Sequence, residues 1–298
     1  MFPPWRKIEN CLWRVTRETV TSPFGGPSMA ISSFVLDYLL SLKPVLDRSA
    51  DRSLLELGEA QTYQIDLADY ADKIASATGM SRDIIATDIA QCRAGPAQQA
   101  PYREARAIYG WVFSCRRYRA ADQSARDPAD RIDLNFPFDL GETFDVVINN
   151  GTSEHVFNQA NVFAMMHAHA RPGGLLIHYT TCLGWIDHGF YNVQPNFFFD
   201  LAKYNGYEVL SCCLVNDAVM FPLRLGEYTP ESLADDPRLA DALLCTCLRR
   251  RSSAGFRFPQ QYPYQAGSEV LGDRDIHPVP QAEPGRLRRL LKCLIGPG

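Results

Sequence analysis

From residue 115 onward, short apolar runs alternate with segments of helical spacing, and this alternation constrains the fold more than any other feature of the chain. "RYRAAD" and "DRIDLN" read as strands, the first ending at Asp122 and the second near Asp133. "TFDVVINNG" is a stronger strand, punctuated by an acid and a glycine. "VFNQANVFAMMHAHA" has helical spacing, with Val156, Ala160, Phe163 and His167 on one face. "RPGGLLIHYT" is a turn and a strand, and "PNFFFDLAKYNGY" is a helix closed by Gly206. "EVLSCCLVND" and "ALLCTCLRR" are late strands. Strands alternating with helices predict an α/β fold with a mostly parallel sheet flanked by helices. In such sheets ligands sit at the carboxyl ends of the strands, near the topological switch point. The informative residues are therefore those that follow each strand.

Upstream, "RSLLELGE" reads as a buried parallel strand ending in a turn. "TYQIDLADYADKIASATG" has helical spacing and stops at Gly79. "SRDIIATDIAQC" predicts a helix with Ser81 as its N-cap. "YREARAIYGWVFSC" predicts another, and "ISSFVLDYLLSLKPVL" a short helix before the core. The expected organisation is an N-terminal helical segment over 1–50, a core domain over 51–250 and an arm over 251–298. Residues 251–285 carry five prolines (Pro259, Pro263, Pro278, Pro280 and Pro284) and read as extended chain. "GRLRRLLKCLIG" then sets Leu287, Leu290, Leu291, Leu294 and Ile295 on one stripe, with Arg286, Arg288, Arg289 and Lys292 mainly elsewhere. Such a helix suits contact with an anionic membrane surface through residues 284–298.

Lys and Arg number 30 against 34 Asp and Glu, a net charge of −4, so a nucleic-acid partner is not expected. Nine cysteines occur with no C-x-x-C pair, and most sit in apolar runs. They read as reduced, buried thiols, and no metal site is expected. The prolines and charges of "MFPPWRKIENCLWRV" do not make a signal peptide. The expected location is cytoplasmic, peripheral to the inner face of the membrane where the C-terminal helix engages it.

"FDVVINNGTSEHVFNQANVFAMMHAHARPGGLLIH" resembles the central segment of class I S-adenosylmethionine-dependent methyltransferases. The matching pieces are Phe144-Asp145-Val146-Val147, Glu154-His155-Val156 and Arg171-Pro172-Gly173-Gly174. "DLNFPF" is similar to the D-x-x-x-L-P-F that precedes this segment in the family, which places Asp133 at its acid. "WIDHGFYNVQPNFFFDLAKYNGYEV" resembles a subgroup of bacterial members with an H-G-F-Y/F-N signature. The resemblance spans about residues 52–250 and implies a Rossmann-like methyltransferase fold. It names no acceptor.

Two features depart from the family. Its first loop reads D/E-x-G-x-G-x-G; Glu56 and Gly58 match, but Ala60 and Thr62 replace the later glycines. Asp122 and Asp133 are 11 positions apart, too close for the helix usual between the second and third strands. Gly58 and Asp122 are 64 positions apart, so the region after the first strand is enlarged.

The broken glycine loop bears on the cofactor. A dinucleotide site uses glycines to bring backbone amides to a pyrophosphate. Glu59 would repel that anion by on the order of 4 kcal/mol at about 4 Å and an effective dielectric of about 20. S-adenosylmethionine carries positive sulfonium and ammonium groups, which tolerate a nearby carboxylate. By resemblance, Glu56, Gly58 and the adjoining Glu59 line the methionine end. Asp122 accepts from the ribose hydroxyls, Asp133 faces the adenine amine, and Asn150 and Gly151 lie under the cofactor. His155, after the fourth strand, suits a general base near neutral pH, and His188, with Tyr191 and Asn192, forms a substrate loop. His167 shares a face with Phe163 and reads as a core histidine. The expected acceptor is a small molecule or a glycan or lipid precursor. The alternative is a catalytically degenerate member that binds or scaffolds without transferring a methyl group.

Overall fold

The computed structural model describes residues 30–46, 51–124 and 130–261. The membrane-contacting helix expected over 284–298 lies outside the described residues, as does most of the N-terminal segment. The first half holds β1 (Ala30–Ile31), α1 (Ser33–Ser41), β2 (Arg52–Leu57), β3 (Gln61–Thr62), α2 (Ala71–Thr78), α3 (Arg82–Arg93) and α4 (Ala100–Phe113). The second holds β4 (Cys115–Asp122), β5 (Asp130–Arg131), β6 (Phe144–Asn150), α5 (Gln159–His169), β7 (Ala170–Thr181), α6 (Pro195–Asn205), β8 (Tyr207–Val215), β9 (Met220–Pro222), α7 (Pro230–Ala234) and β10 (Leu243–Arg250).

Eight strands form one sheet in the order β5-β4-β2-β6-β7-β10-β8-β9. The run from β5 to β7 is parallel. β10 enters between β7 and β8 and is antiparallel to both. This is an α/β, Rossmann-like architecture, a mostly parallel sheet with helices on both faces. The strand order reverses between β2 and β6, so the switch point faces the loops after Leu57 and Asn150.

Side-chain alternation sorts each strand between two cores. Leu54, Val146, Ile148 and Ile177 pack with Leu39, Ile74, Tyr109 and Val112 from α1, α2 and α4. Leu55, Leu57, Val147 and Leu176 pack with Val162, Phe163, Phe198 and Leu201 from α5 and α6. Helix ends follow the sequence signals. Ser81 Oγ accepts from the Ile84 amide at 3.3 Å, and Gly79 and Gly206 close α2 and α6 in the left-handed region. Among the described residues every cysteine is a free thiol, and no helix is long and apolar enough to cross a membrane.

The structure differs from the sequence expectation in two places that matter for the site. The helix expected from Thr62 begins only at Ala71, because Gln61 and Thr62 pair in parallel with Ala30 and Ile31. The strand expected through Asp133 ends at Arg131. There the Asp133 carboxylate accepts from the Asn135 backbone and side-chain nitrogens, both at 2.9 Å, and turns the chain away. The proline-rich arm starts docked rather than free: Asn205 brackets the Arg257 backbone at 2.7 and 2.9 Å.

Candidate active site

The loop after β2 is built shut. Gly58 donates its amide to the Ala121 carbonyl at 2.8 Å, and the Glu59 amide donates to Asp122 Oδ2 at 2.9 Å. Asp122 Oδ1 accepts from the Ser124 amide and hydroxyl, both at 2.6 Å. The Glu59 carboxylate is buried against Arg106 at 2.7 Å. Ala60, where the family has a glycine, belongs to the core, and Thr62 donates to Glu104 at 2.7 Å. Asp122 therefore closes the loop on itself, and Asp133 caps the turn after β5.

Glu56 does not line an open methionine end. Its carboxylate is fully buried and accepts from the Tyr109 and Tyr118 hydroxyls, the latter at 2.5 Å. Asn150 Nδ2 donates to the Tyr109 hydroxyl at 3.1 Å and approaches Glu56 Oε1 at 3.5 Å. Burial pushes the Glu56 carboxyl up to about 7, while the two tyrosine hydrogen bonds pull it partly back. Tyr109 and Tyr118 come from α4 and β4, and nothing in their spacing announces this pairing.

The loop after β6 is built open. Gly151 adopts φ 65°, a conformation suited to glycine, and its amide donates to the Tyr179 carbonyl at 3.0 Å. A single 3₁₀ turn over Ser153–His155 then presents Glu154 and His155. Glu154 is 1% exposed, and its Oε2 has no hydrogen-bond partner among the described residues. Burial raises its carboxyl to about 8, against hydrogen bonds from its own backbone and that of Thr181. His155 Nε2 is likewise buried without a partner. Burial first, and then the nearby His188, holds the His155 imidazole below its usual value, and burial does the same to His188. The two rings lie 5.1 Å apart, and Trp185 meets His188 edge-on at 4.8 Å.

Glu154, Trp185 and His188 border a cavity of about 580 Å³ at the carboxyl ends of β6 and β7. Gly151, Glu154, Tyr179, Thr181 and His188 form its floor and wall, with Phe34, Tyr63 and Trp185 as aromatic sides. Among the described residues its lining carries three acids, Glu154, Asp217 and Asp241, and no lysine or arginine. The exposed Asp217 and Asp241 favour a cationic ligand, Glu154 is largely neutral near pH 7, and the lining offers nothing to a pyrophosphate. The amides of Gly58 and Glu59, which would cradle a phosphate, are already committed.

Of the residues singled out in the sequence, Gly151 and His188 line this cavity, and His155 meets His188 with ring centroids 5.1 Å apart. Gly58, Glu59, Asp122 and Asp133 do not line this cavity. Tyr191 and Asn192 line a different one, of about 630 Å³, with Phe157, Gln194 and Phe197. Tyr191 donates to the Phe157 carbonyl at 2.9 Å, and Asn192 approaches the Trp185 carbonyl at 3.4 Å. The sequence signal for Glu154 was present in the E-H-V match, but only the fold reveals its unpaired oxygen. His167 is a core residue, as its helical face implies: Nδ1 accepts from Tyr207 at 2.5 Å and Nε2 donates to Ala254 at 2.8 Å. His169 also uses both nitrogens, on Met165 and Leu140.

No family model and no curated protein matches this chain. Several solved structures are similar at low identity. The N-methyltransferase NodS from Bradyrhizobium japonicum WM9, in complex with S-adenosyl-L-homocysteine, is 12% identical with a TM-score of 0.41, over 73% of this chain and 86% of its own. An S-adenosylmethionine dependent methyltransferase from Mesorhizobium loti is 13% identical with a TM-score of 0.37, over 72% and 100%. The 1,6-didemethyltoxoflavin-N1-methyltransferase of Burkholderia thailandensis, with bound 1,6-didemethyltoxoflavin and S-adenosylhomocysteine, is 11% identical with a TM-score of 0.32, over 73% and 78%.

Proposed function

We propose that this chain is an S-adenosylmethionine-dependent methyltransferase acting on a small-molecule or glycan or lipid-precursor acceptor, with its reacting centre in the cavity beside Gly151 and Glu154. The observation that carries this reading is the charge of the cavity: acids and uncharged acceptors, without a cation, at the switch point of the sheet. The donor set fits the cofactor's positive groups. When bound, S-adenosylmethionine supplies an electrophilic methyl group on sulfur. The chain's own contribution is to hold an acceptor in line with that methyl group, and orientation of this kind can supply roughly 7–11 kcal/mol. Aromatic walls exclude water, and neutral His155 and His188 stand at the end where an acceptor proton must be handled. Gly58, Glu59 and Asp122 serve this reading by bracing the loop after β2, while Tyr109 holds Asn150.

Titration calorimetry of the full-length protein with S-adenosylmethionine, S-adenosylhomocysteine and NADH tests this. Expected is heat from the first two and none from NADH. Silence with both adenosyl ligands would leave a fold without its cofactor, a binding or scaffold protein. Heat with NADH alone would make the chain a dinucleotide enzyme.

A further inference from the structure

Glu154, His155 and His188 offer one carboxylate oxygen and two imidazole nitrogens, all within 4.8 Å of one another. Two of the three end in buried atoms that nothing among the described residues satisfies, Glu154 Oε2 and His155 Nε2. Unpaired buried polar atoms are destabilising, and here two of them belong to side chains whose ligand atoms gather within 4.8 Å. We infer that these three side chains form a binding site for a divalent transition-metal ion, with open positions facing the cavity.

The chemistry of the set selects the ion. Two histidines and one glutamate form a borderline nitrogen and oxygen set of the kind used by catalytic zinc and by other first-row metals with open coordination positions. Magnesium, which demands oxygen ligands and retains water, is a poor match. An ion about 2.1 Å from each ligand needs mutual separations of roughly 3–4 Å. The ligand atoms now lie within 4.8 Å of one another, so binding would draw them closer.

The backbone prepares the same geometry. Phe190 donates its amide to the Glu154 carbonyl at 2.7 Å. At Gly189 an added Cβ would lie 2.8 Å from that same carbonyl oxygen, so only glycine lets the two loops touch. This clamp sets His188 over the turn that carries Glu154 and His155, although 33 positions separate the two histidines. Trp185 fixes the outer side of His188. Supporting contacts of this type orient metal ligands.

An ion here also narrows the acceptor, on the premise that the cavity transfers methyl groups. Coordination makes a hydroxyl more acidic and presents its oxygen as a nucleophile. In the transfer, the acceptor oxygen forms a bond to the methyl carbon and the carbon–sulfur pair returns to sulfur. With the ion bound, His155 and His188 would serve as its ligands rather than as bases, so the hydroxyl proton would pass to solvent, leaving a methyl ether and a neutral thioether. The acceptor class that such an ion would serve is a hydroxyl compound.

The test is calorimetric titration of chelator-treated full-length protein with Zn²⁺ and, separately, Mg²⁺, in the absence of any adenosyl ligand. Expected is one Zn²⁺ site that Mg²⁺ does not match. His188→Ala and His155→Ala should each weaken it at least about 100-fold, beyond the roughly 10–100-fold that loss of an outer-shell partner brings. His188→Ala alters a half-buried loop side chain, and an unchanged circular dichroism melt would certify its fold. Should His155→Ala unfold, the comparison rests on His188→Ala and on Zn²⁺-induced shifts of the His155 and His188 ring resonances in the unaltered protein. No Zn²⁺ site, equal affinity in the folded variants, or unmoved ring resonances would each overturn the inference. Because no adenosyl ligand is present, metal binding without cofactor binding refutes the methyltransferase reading alone, and the converse refutes the metal site alone.

Discussion

Glu56, on β2, and Glu154, in the turn after β6, are both fully buried glutamates whose carboxyl groups burial pushes up, to about 7 and about 8. Their surroundings are opposite. Glu56 is saturated by two tyrosine hydroxyls and approached by Asn150, while Glu154 keeps one oxygen unpaired at the wall of a cavity. A perturbed carboxyl is thus no sign of chemistry on its own. What separates a structural acid from a working one is whether its hydrogen-bonding capacity is spent inside the protein.

The largest expected effect lies on the open side. With an acceptor found by screening for S-adenosylhomocysteine release, His155→Ala should lower turnover by about 10²–10⁴-fold, with the melting temperature nearly unchanged. Full activity would show that the open cluster does not handle the acceptor, and the contrast between the two glutamates would lose its functional half.

Next comes the closed side. Glu56→Ala strands the Tyr109 and Tyr118 hydroxyls and should destabilise the fold by about 3 kcal/mol, read by urea unfolding. Glu154→Gln, which removes a poorly satisfied acid, should change stability by less than about 1 kcal/mol. Equal losses in the two variants would erase the distinction between saturated and unsaturated carboxyls.

The same contrast has a pH signature. The folded-state value of Glu56 lies above its ordinary 4.5, so the folded state holds that proton more tightly than the unfolded chain. Its contribution to stability is full below about pH 4.5 and is lost as pH rises through about 7. Buried His178, lowered to about 3, works with the opposite sign, its contribution being lost as pH falls below about 6.5. The stability difference between the parent protein and Glu56→Gln isolates the glutamate, and it should shrink as pH rises from 4.5 to 7. A flat difference would mean that Glu56 is ionised throughout.

Much of this was legible in the sequence, and the boundary is physical. The strand ends at Leu57, Asp122 and Asn150 follow from apolar runs and their punctuation, and Gly151 and His155 stand in the turn after β6, as the sequence expects. The pairing of β1 with β3 was not legible, because two-residue strands carry no periodicity. Nor was the enclosure of Glu56, whose partner Tyr109 sits on an amphipathic helix where an aromatic residue reads simply as core. The loop "DHGFYN" reads as one unit in the sequence, yet His188 lines one cavity and Tyr191 and Asn192 another. For that reason Tyr191→Phe should have the smallest effect, about 0.5–1.5 kcal/mol of stability from one lost hydrogen bond. Ligand binding at the cavity beside Glu154 should be unaltered, as calorimetry with S-adenosylhomocysteine would register.

Crystals of the full-length protein grown with S-adenosylhomocysteine test the central claim most directly, since they locate the ligand. Expected is density in the cavity bounded by Gly151, Glu154, Tyr179 and Trp185, with the Glu56–Tyr109–Tyr118 cluster intact behind it. Density between Phe157 and Phe197 instead, or a ligand bound only after Glu56 has left its tyrosines, would contradict the assignment of the open side as the site of chemistry.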